Sequence, residues 1–170
     1  MYSFNYNRVK SVNDAVAAIG KSDDAKLLAG GQSLVASMKL RLSKPSDLID
    51  LGTIAELQGI KVEGSTVTIG AMTRHAEVAG SAEVKKAIPA LAELAGGIGD
   101  RQVRNMGTIG GSVANNDPAA DYPAGLVGLG ATINTNKRKI ASDDFFKGMF
   151  ETALQADEII TSVSFPVPKR

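Results

Sequence analysis

Apolar positions at the start of the chain change from strand spacing to helix spacing. Residues 4–9 are predicted to form a strand, with Phe4 and Tyr6 on its inward side. From residue 12 the apolar side chains recur at intervals of three and four, which is the spacing of one helix face. Ser11 is the predicted N-cap of this helix, and Gly20 is its predicted end.

The following segment repeats this alternation. Short apolar runs at 25–29 and 47–51 are predicted strands. The helix between them begins near Leu34 and has to end before Pro45, because the residue before a proline is pushed out of the helical region. The order strand, helix, strand, helix, strand predicts a small parallel sheet of three strands with right-handed crossovers.

The rest of the chain is predicted to be antiparallel. Alternating apolar residues on both sides of Glu63-Gly64-Ser65 indicate a hairpin, and a second hairpin is expected over 131–140. Residues 159–165 alternate as a last strand. Helices are predicted over 73–79, over 82–95 with an interruption at Pro89, over 119–129, and over a short segment that Ser142 or Asp143 caps. We therefore expect an α+β fold with a small lobe at 1–55 and a larger lobe at 56–170.

Two glycine-rich runs interrupt the pattern. Gly107 to Asp121 reads GTIGGSVANNDPAAD and is predicted to be irregular and to add nothing to a core, because it has few large apolar side chains. Ala29 to Ser33 reads AGGQS and lies between a predicted strand and a predicted helix. Since backbone N–H groups at a helix start favour phosphate, the two runs predict one oxygen-rich ligand between them. A tight turn without a ligand is the alternative for Ala29 to Ser33 taken alone.

The polar residues of the second run are expected to differ in role. Thr108 and Ser112 offer hydroxyl groups beside the glycines. Asp121 is expected to accept a hydrogen bond from a sugar hydroxyl, as acidic residues do in dinucleotide sites. Asp117 is instead expected to be a helix N-cap, because Pro118 follows it.

Composition narrows the chemistry. The 170 residues carry a net charge of +1, which is no argument for nucleic acid or an anionic membrane as a partner. With no cysteine and a single histidine, this chain cannot hold a cysteine-ligated zinc ion or iron–sulfur cluster, so redox chemistry would need an organic cofactor. His75 is predicted to be structural or exposed. Arg101 and Arg104 are predicted to form surface ion pairs, or one of them orients residues 107–112. No membrane span or signal peptide is evident, so a cytoplasmic location is expected.

Known nucleotide fingerprints do not occur in the expected context. There is no G-x-G-x-x-G after a strand, and no complete P-loop. Four segments nevertheless carry a resemblance: LLAGGQSLVASMKLRL, PSDLIDL, GDRQVRNMGTIGGSVANNDPAAD and DEIITSVSFPVP. They look like the flavin subunit of molybdenum hydroxylases, above all the medium subunit of carbon-monoxide-dehydrogenase-type enzymes. The FAD domain of xanthine dehydrogenase and aldehyde oxidase is related. The resemblance extends from the N-terminus to about Pro168.

This resemblance implies a PCMH-type domain that binds FAD between its two lobes. By position it implies pyrophosphate contacts from the first run, contacts to the other side of the dinucleotide from the second run, and apolar contacts near the flavin. The implied cofactor-binding residues are Ala29, Gly30, Gly31, Gln32, Ser33, Leu34, Ile98, Thr108, Ile109, Gly110, Gly111, Ser112, Asp121 and Ile160. No catalytic residue and no metal ligand is expected in this chain.

The resemblance also implies partners. Electrons would come from a molybdenum cofactor on a large subunit, through [2Fe–2S] clusters on a small subunit, and leave through FAD to an external acceptor. The chain alone is not expected to act on substrate. The C-terminal domain usual in this family is expected to be absent after Arg170. Because many members have Leu-Pro or Ile-Pro where this chain has Val35-Ala36, a flavin-free module that docks partner subunits is an alternative. A free-standing flavin oxidase is another.

Overall fold

The first part of the chain forms a three-stranded parallel sheet, in a computed structural model that describes residues 1–169. Its elements are β1 (Asn5–Arg8), α1 (Val12–Ile19), β2 (Lys26–Leu28), α2 (Leu34–Lys39) and β3 (Asp47–Asp50). The strand order is β1-β3-β2, with Leu48 opposite Tyr6. Ser11 caps α1 by accepting a hydrogen bond from the Asp14 amide at 3.1 Å. The predicted parallel sheet and cap are confirmed.

Tyr6 does not face the core, so this part of the prediction is wrong. Its side chain is 50% exposed and its hydroxyl donates to the carboxylate of Asp50. The same carboxylate accepts from Arg8 Nε at 2.9 Å and from the Gly52 amide at 2.8 Å. Since a phenol favours a hydrogen-bond partner and Asp50 offers one at the end of the neighbouring strand β3, this polar contact overrides the alternation of β1.

The second part of the chain forms a five-stranded antiparallel sheet in the order β4-β5-β10-β6-β7 and a separate two-stranded hairpin, β8-β9. After a 3₁₀ turn at Ala55–Leu57, the strands are β4 (Ile60–Glu63), β5 (Thr66–Gly70), β6 (Thr132–Thr135), β7 (Lys139–Ala141), β8 (Phe146–Gly148), β9 (Glu151–Thr152) and β10 (Ile160–Pro166). Both predicted hairpins and the last strand are confirmed. The last strand lies in the middle of the sheet, and its side chains at 160, 163 and 165 are buried.

Helices pack on this antiparallel sheet. They are α3 (His75–Gly80), α4 (Ala82–Ala87), α5 (Pro89–Gly97), α6 (Arg101–Met106), α7 (Ile109–Asn115), α8 (Asp121–Gly128) and α9 (Ser142–Phe145). Helix α7 contacts β5 and β10, while α5 contacts α3 and α8. Their shared core contains the fully buried rings of Tyr122, Phe145 and Phe165. The predicted break at Pro89 is confirmed, but the residue that precedes α9 is Ala141, so the predicted caps at Ser142 or Asp143 are wrong.

The run from Gly107 to Asp121 is not irregular, which corrects the prediction. Its middle part, Ile109–Asn115, is α7, which Thr108 caps by accepting a hydrogen bond from the Gly111 amide at 3.1 Å. Ile109, Gly110 and Val113 of this helix are buried in the main core. A Cβ atom at Gly110 would lie 2.5 Å from the Cβ of Ala71, so glycine allows the helix backbone to lie against β5.

The predicted cap at Asp117 is also wrong. Helix α8 begins at Asp121, and Ala120 occupies its N-cap position. The carboxylate of Asp117 accepts a hydrogen bond from the Ala119 amide at 2.9 Å and closes a turn between the two helices.

A buried carboxylate fixes the segment that leads into β10. The side chain of Glu158 is 0% exposed and accepts hydrogen bonds of 2.9 Å from both Nε and Nη2 of Arg138. Thr135 Oγ1 and the Gln155 amide donate to the same carboxylate, at 2.8 and 3.0 Å. These hydrogen bonds, with that of Arg138 first, lower the pKa of Glu158 to about 2. The network therefore joins the β6–β7 turn to the residues just before β10.

We expect Glu158→Gln to lower the free energy of unfolding by about 1–3 kcal/mol, because it removes a charged acceptor from a buried network. The folded pKa of about 2 lies below the ordinary 4.5, so this stabilisation is complete above about pH 4.5 and is lost as the pH falls towards 2. Urea unfolding at several pH values measures both effects. The control is Asp157→Asn, since that half-exposed carboxylate pairs with Lys137 at the surface and should contribute much less to stability. Equal acid sensitivity of wild type and Glu158→Gln would contradict the assignment.

Candidate functional site

A cleft lies between the two sheets. Its volume is about 780 Å³, and its walls include Ala29 to Ser33 after β2 and the start of α7. The two glycine-rich runs are therefore brought together, as the sequence predicted. Apolar side chains of Ile98, Leu154 and Ile160 line another part of the wall.

The floor of the cleft is a contact between two backbones. A Cβ atom on Gly30 would lie 2.7 Å from the Cα of Gly107 and closer still to the carbonyl oxygen of Met106. Any side chain at Gly30 would therefore push the loop after β2 away from the end of α6. Gly31 has a φ of 71°, in the left-handed region that favours glycine, so it serves the turn itself.

Position 107 also leaves no room for a side chain, because His75 lies against it. A Cβ atom there would be 2.5 Å from Nε2 of His75. The His75 amide donates to the Gly107 carbonyl at 3.0 Å, and the Ile109 amide donates to the Thr73 carbonyl at 3.1 Å. Backbone hydrogen bonds thus hold the segment that begins α7 against the segment that begins α3.

Two hydroxyl groups on the cleft wall, those of Ser33 and Thr108, differ in whether they cap a helix. Within residues 1–169, Ser33 stands at the N-cap position of α2 and its side chain makes no capping hydrogen bond. Thr108, in contrast, uses its hydroxyl to cap α7. Among the described residues that line the cleft, Lys26 is the one cationic side chain, while Asp117 and Glu158 are the carboxylates. A phosphate here would therefore be bound mainly by backbone amides and hydroxyl groups.

Most of the predicted site residues line this cleft. They are Ala29, Gly30, Gly31, Gln32, Ser33, Leu34, Ile98, Thr108, Gly110, Gly111, Ser112 and Ile160. Ile109 is fully buried in the core, and Asp121 is exposed in the first turn of α8, outside the cleft wall. Asp117 lies on the wall in its place. Ligand contacts of all these residues remain predictions.

Arg104 orients a different loop from the one predicted. Its Nη1 donates to the carbonyl oxygens of Ile98 and Gly99, at 3.1 and 2.9 Å. Gly99 has a φ of 51°, so this turn combines a left-handed glycine with an arginine clamp. The arginine thereby fixes the backbone that carries Ile98 on the cleft wall.

Sequence reasoning missed other residues on the wall, including Leu154, Ile159, Phe150 and His75. Ile159 and Leu154 are ordinary apolar residues in the sequence, so no local pattern could mark them as part of a site. His75 is 4% exposed, and its ring lies 5.4 Å from that of Tyr122. Burial lowers the pKa of His75 to about 4 and raises that of Tyr122. Over residues 1–169, His75 Nδ1 and the Tyr122 hydroxyl are the buried side-chain atoms without a hydrogen-bond partner.

The small parallel sheet, the antiparallel sheet and the cleft between them define a two-lobed cofactor-binding domain. The chain belongs to the family of FAD binding domains in molybdopterin dehydrogenases, whose family model matches residues 2–168. This confirms the family predicted from the four sequence segments.

Individual relatives agree with this assignment. The chain is 45% identical to the carbon monoxide dehydrogenase medium chain of Hydrogenophaga pseudoflava, over 96% of this chain and 58% of the relative. A solved structure of that organism's carbon monoxide dehydrogenase, which lacks the Mo-pyranopterin moiety of the molybdenum cofactor, matches 99% of this chain and 60% of its own chain with a TM-score of 0.97 and 44% identity. Quinoline 2-oxidoreductase from Pseudomonas putida 86 gives a TM-score of 0.95 at 33% identity, over 98% and 60% of the two chains.

The chain spans about three fifths of the length of the relatives that it matches. Among residues 1–169, no helix is both long and apolar enough to cross a membrane.

We expect Gly30→Ala to lower the free energy of unfolding by about 1–3 kcal/mol, because the added methyl group forces the two loops apart. Gly97→Ala is the matched control. It lies at the end of α5, where an added methyl group would have nothing within 4 Å, so the change should be neutral or stabilise by up to about 1 kcal/mol. Urea unfolding measures both variants. Equal stability of Gly30→Ala and wild type would refute the backbone contact.

His75 should remain neutral at neutral pH and titrate near pH 4 in the folded protein. Because this pKa lies below the ordinary 6.5, the unfolded chain takes up the proton first, and stability should fall as the pH drops from about 6.5 to about 4. NMR titration of the imidazole signals measures this directly, since the chain has one histidine. A midpoint near 6.5 would contradict the burial of the ring. His75→Gln should reduce the loss of stability as the pH falls through this range.

Proposed function

We propose that this chain binds FAD in the cleft between its two sheets. The observation that supports it is the direct backbone contact of Gly30 with Met106 and Gly107, because this contact joins the two glycine-rich runs that line the cleft. In this arrangement Ala29 to Ser33 holds the pyrophosphate, while Thr108 to Ser112 borders the other side of the dinucleotide.

The residues present fit such a cofactor. Gln32 and Ser33 lie on the wall, and the Ser33 hydroxyl is free of any capping bond within the described chain. Ile98, Leu154 and Ile160 offer apolar surface of the kind that a flat heterocycle needs. Asp121 is proposed as the acceptor for sugar hydroxyls on the basis of its family position. Asp117, however, is the aspartate that lines the cleft wall.

When bound, FAD supplies the redox chemistry, and the protein contributes binding and orientation. We infer that the chain is the electron-transfer component of a molybdenum-containing hydroxylase or dehydrogenase complex. Electrons would enter from [2Fe–2S] clusters and a molybdenum cofactor on partner subunits and leave to an external acceptor. The lack of cysteine in this chain supports the placement of the clusters elsewhere. The relatives are named for carbon monoxide and for quinoline, so the substrate of such a complex is not a property of this domain.

Two further parts of the proposal rest on the sequence. The location is proposed to be cytoplasmic, and the division of the chain near residue 55 is proposed as the boundary of the two lobes. The alternatives are a flavin-free docking module and a free-standing flavin oxidase. Uptake of flavin would argue against the docking module. Turnover of a substrate by the chain alone would support the free-standing oxidase.

The purified chain should take up added FAD and show the visible absorption bands of a bound flavin. We expect Ser33→Ala to weaken FAD binding several-fold while leaving the unfolding midpoint unchanged, because the hydroxyl makes no capping bond in the protein. Isothermal titration calorimetry with FAD measures the affinity. Ser3→Ala, at an exposed position away from the cleft, is the control. A chain that binds no flavin at saturating FAD would argue for the docking module.

A further inference from the structure

Phe150 combines exposure with an unfavourable backbone conformation. It lies in the loop between β8 and β9, and its side chain is 58% exposed. Its φ is 57°, in the left-handed region, where a bulky aromatic residue is rare. Phe150 is also one of the residues that line the cleft. Strained backbone positions of this kind cluster at functional sites, where surrounding contacts hold them in place.

Asn116 holds Phe150 in this conformation. Its side-chain amide donates to the carbonyl oxygens of Gly148 and Glu151, at 2.8 and 2.9 Å. The Phe150 amide donates to the Asn116 carbonyl at 3.1 Å. Asn116 is itself only 8% exposed and ends α7 with a φ of 44°. The β8–β9 loop is thus hydrogen-bonded to the C-terminal end of α7, whose N-terminal end lines the cleft.

The hydrogen bonds with Asn116 fix the backbone that carries the exposed ring. Burying an aromatic ring in the core would gain free energy, yet here three hydrogen bonds with Asn116 hold the backbone so that the ring stays at the cleft. Met149, the adjacent residue, is 73% exposed but does not belong to the cleft wall. Phe150 and Met149 are therefore both exposed to solvent, but of the two only Phe150 lines the cleft.

We propose that the Phe150 ring packs against one of the planar heterocycles of the bound dinucleotide, with Asn116 as its positioning residue. The proposal rests on the proposed binding of FAD in this cleft. An exposed phenyl ring on a fixed backbone suits a flat partner with a π face, because stacking then requires no ordering of the loop.

The test compares three substitutions of Phe150 for FAD affinity and for stability of the unliganded chain. Phe150→Ala and Phe150→Gly should both weaken FAD binding by roughly 10-fold, the size expected for a lost stacking contact. Phe150→Gly should leave the unfolding midpoint unchanged or raise it, because glycine relieves the left-handed strain. Phe150→Tyr should bind FAD as wild type does. Met149→Ala is the matched control and should not alter the affinity.

Two fragments then identify the heterocycle. If the loss in Phe150→Gly appears with ADP and not with FMN, the ring packs on adenine. If it appears with FMN and not with ADP, the ring packs on the isoalloxazine. Wild-type affinity for FAD in both Phe150→Ala and Phe150→Gly would overturn this inference while leaving the proposed function intact, and would point to a protein partner for the exposed loop. A wild-type chain that binds no FAD would overturn both.

Discussion

The close approach of Gly30 to the backbone at Met106 and Gly107 is the contact on which this structure depends. It joins the loop after β2 of the parallel sheet to the end of α6 on the antiparallel sheet, with no side chain between them. Because a Cβ atom at Gly30 would overlap the backbone at Met106 and Gly107, a single methyl group at this point would force the two parts of the cleft wall apart. Gly30, Gly107 and Gly110, from both runs, thus make close contacts inside the protein.

Helix α7 transmits that contact to the rest of the cleft. Its first residues are held against the segment before α3 and against the end of β5, and its apolar residues enter the main core. Its last residue is followed by Asn116, which latches the loop of Phe150. One short helix is therefore connected both to the Gly30–Gly107 contact and to the loop that carries Phe150 on the cleft wall. The Glu158 network fixes the segment that leads into β10, and β10 contributes Ile160 to the cleft wall.

The elements that the sequence predicted well are those in which apolar spacing and burial agree. The parallel sheet, both hairpins, α1 and the central β10 follow from periodicity and caps, and the family was predicted from four short segments. The errors lie where a polar or tertiary contact outweighs the local pattern. Tyr6 turns outward to reach Asp50, and residues 109–115 form a helix despite two glycines, because Thr108 caps it and the core buries one face.

The sequence by itself determined the two-lobed fold, the family and the pair of runs that meet at the cleft. Spacing of apolar residues and a distinctive order of glycines are local properties, and they can be read along the chain. Only the tertiary structure decided that Asp117 and not Asp121 lies on the wall, that Arg104 holds the turn at Ile98, and that Phe150 stands at the cleft. Each of these depends on how separate elements pack together, and such packing leaves no mark in the local sequence.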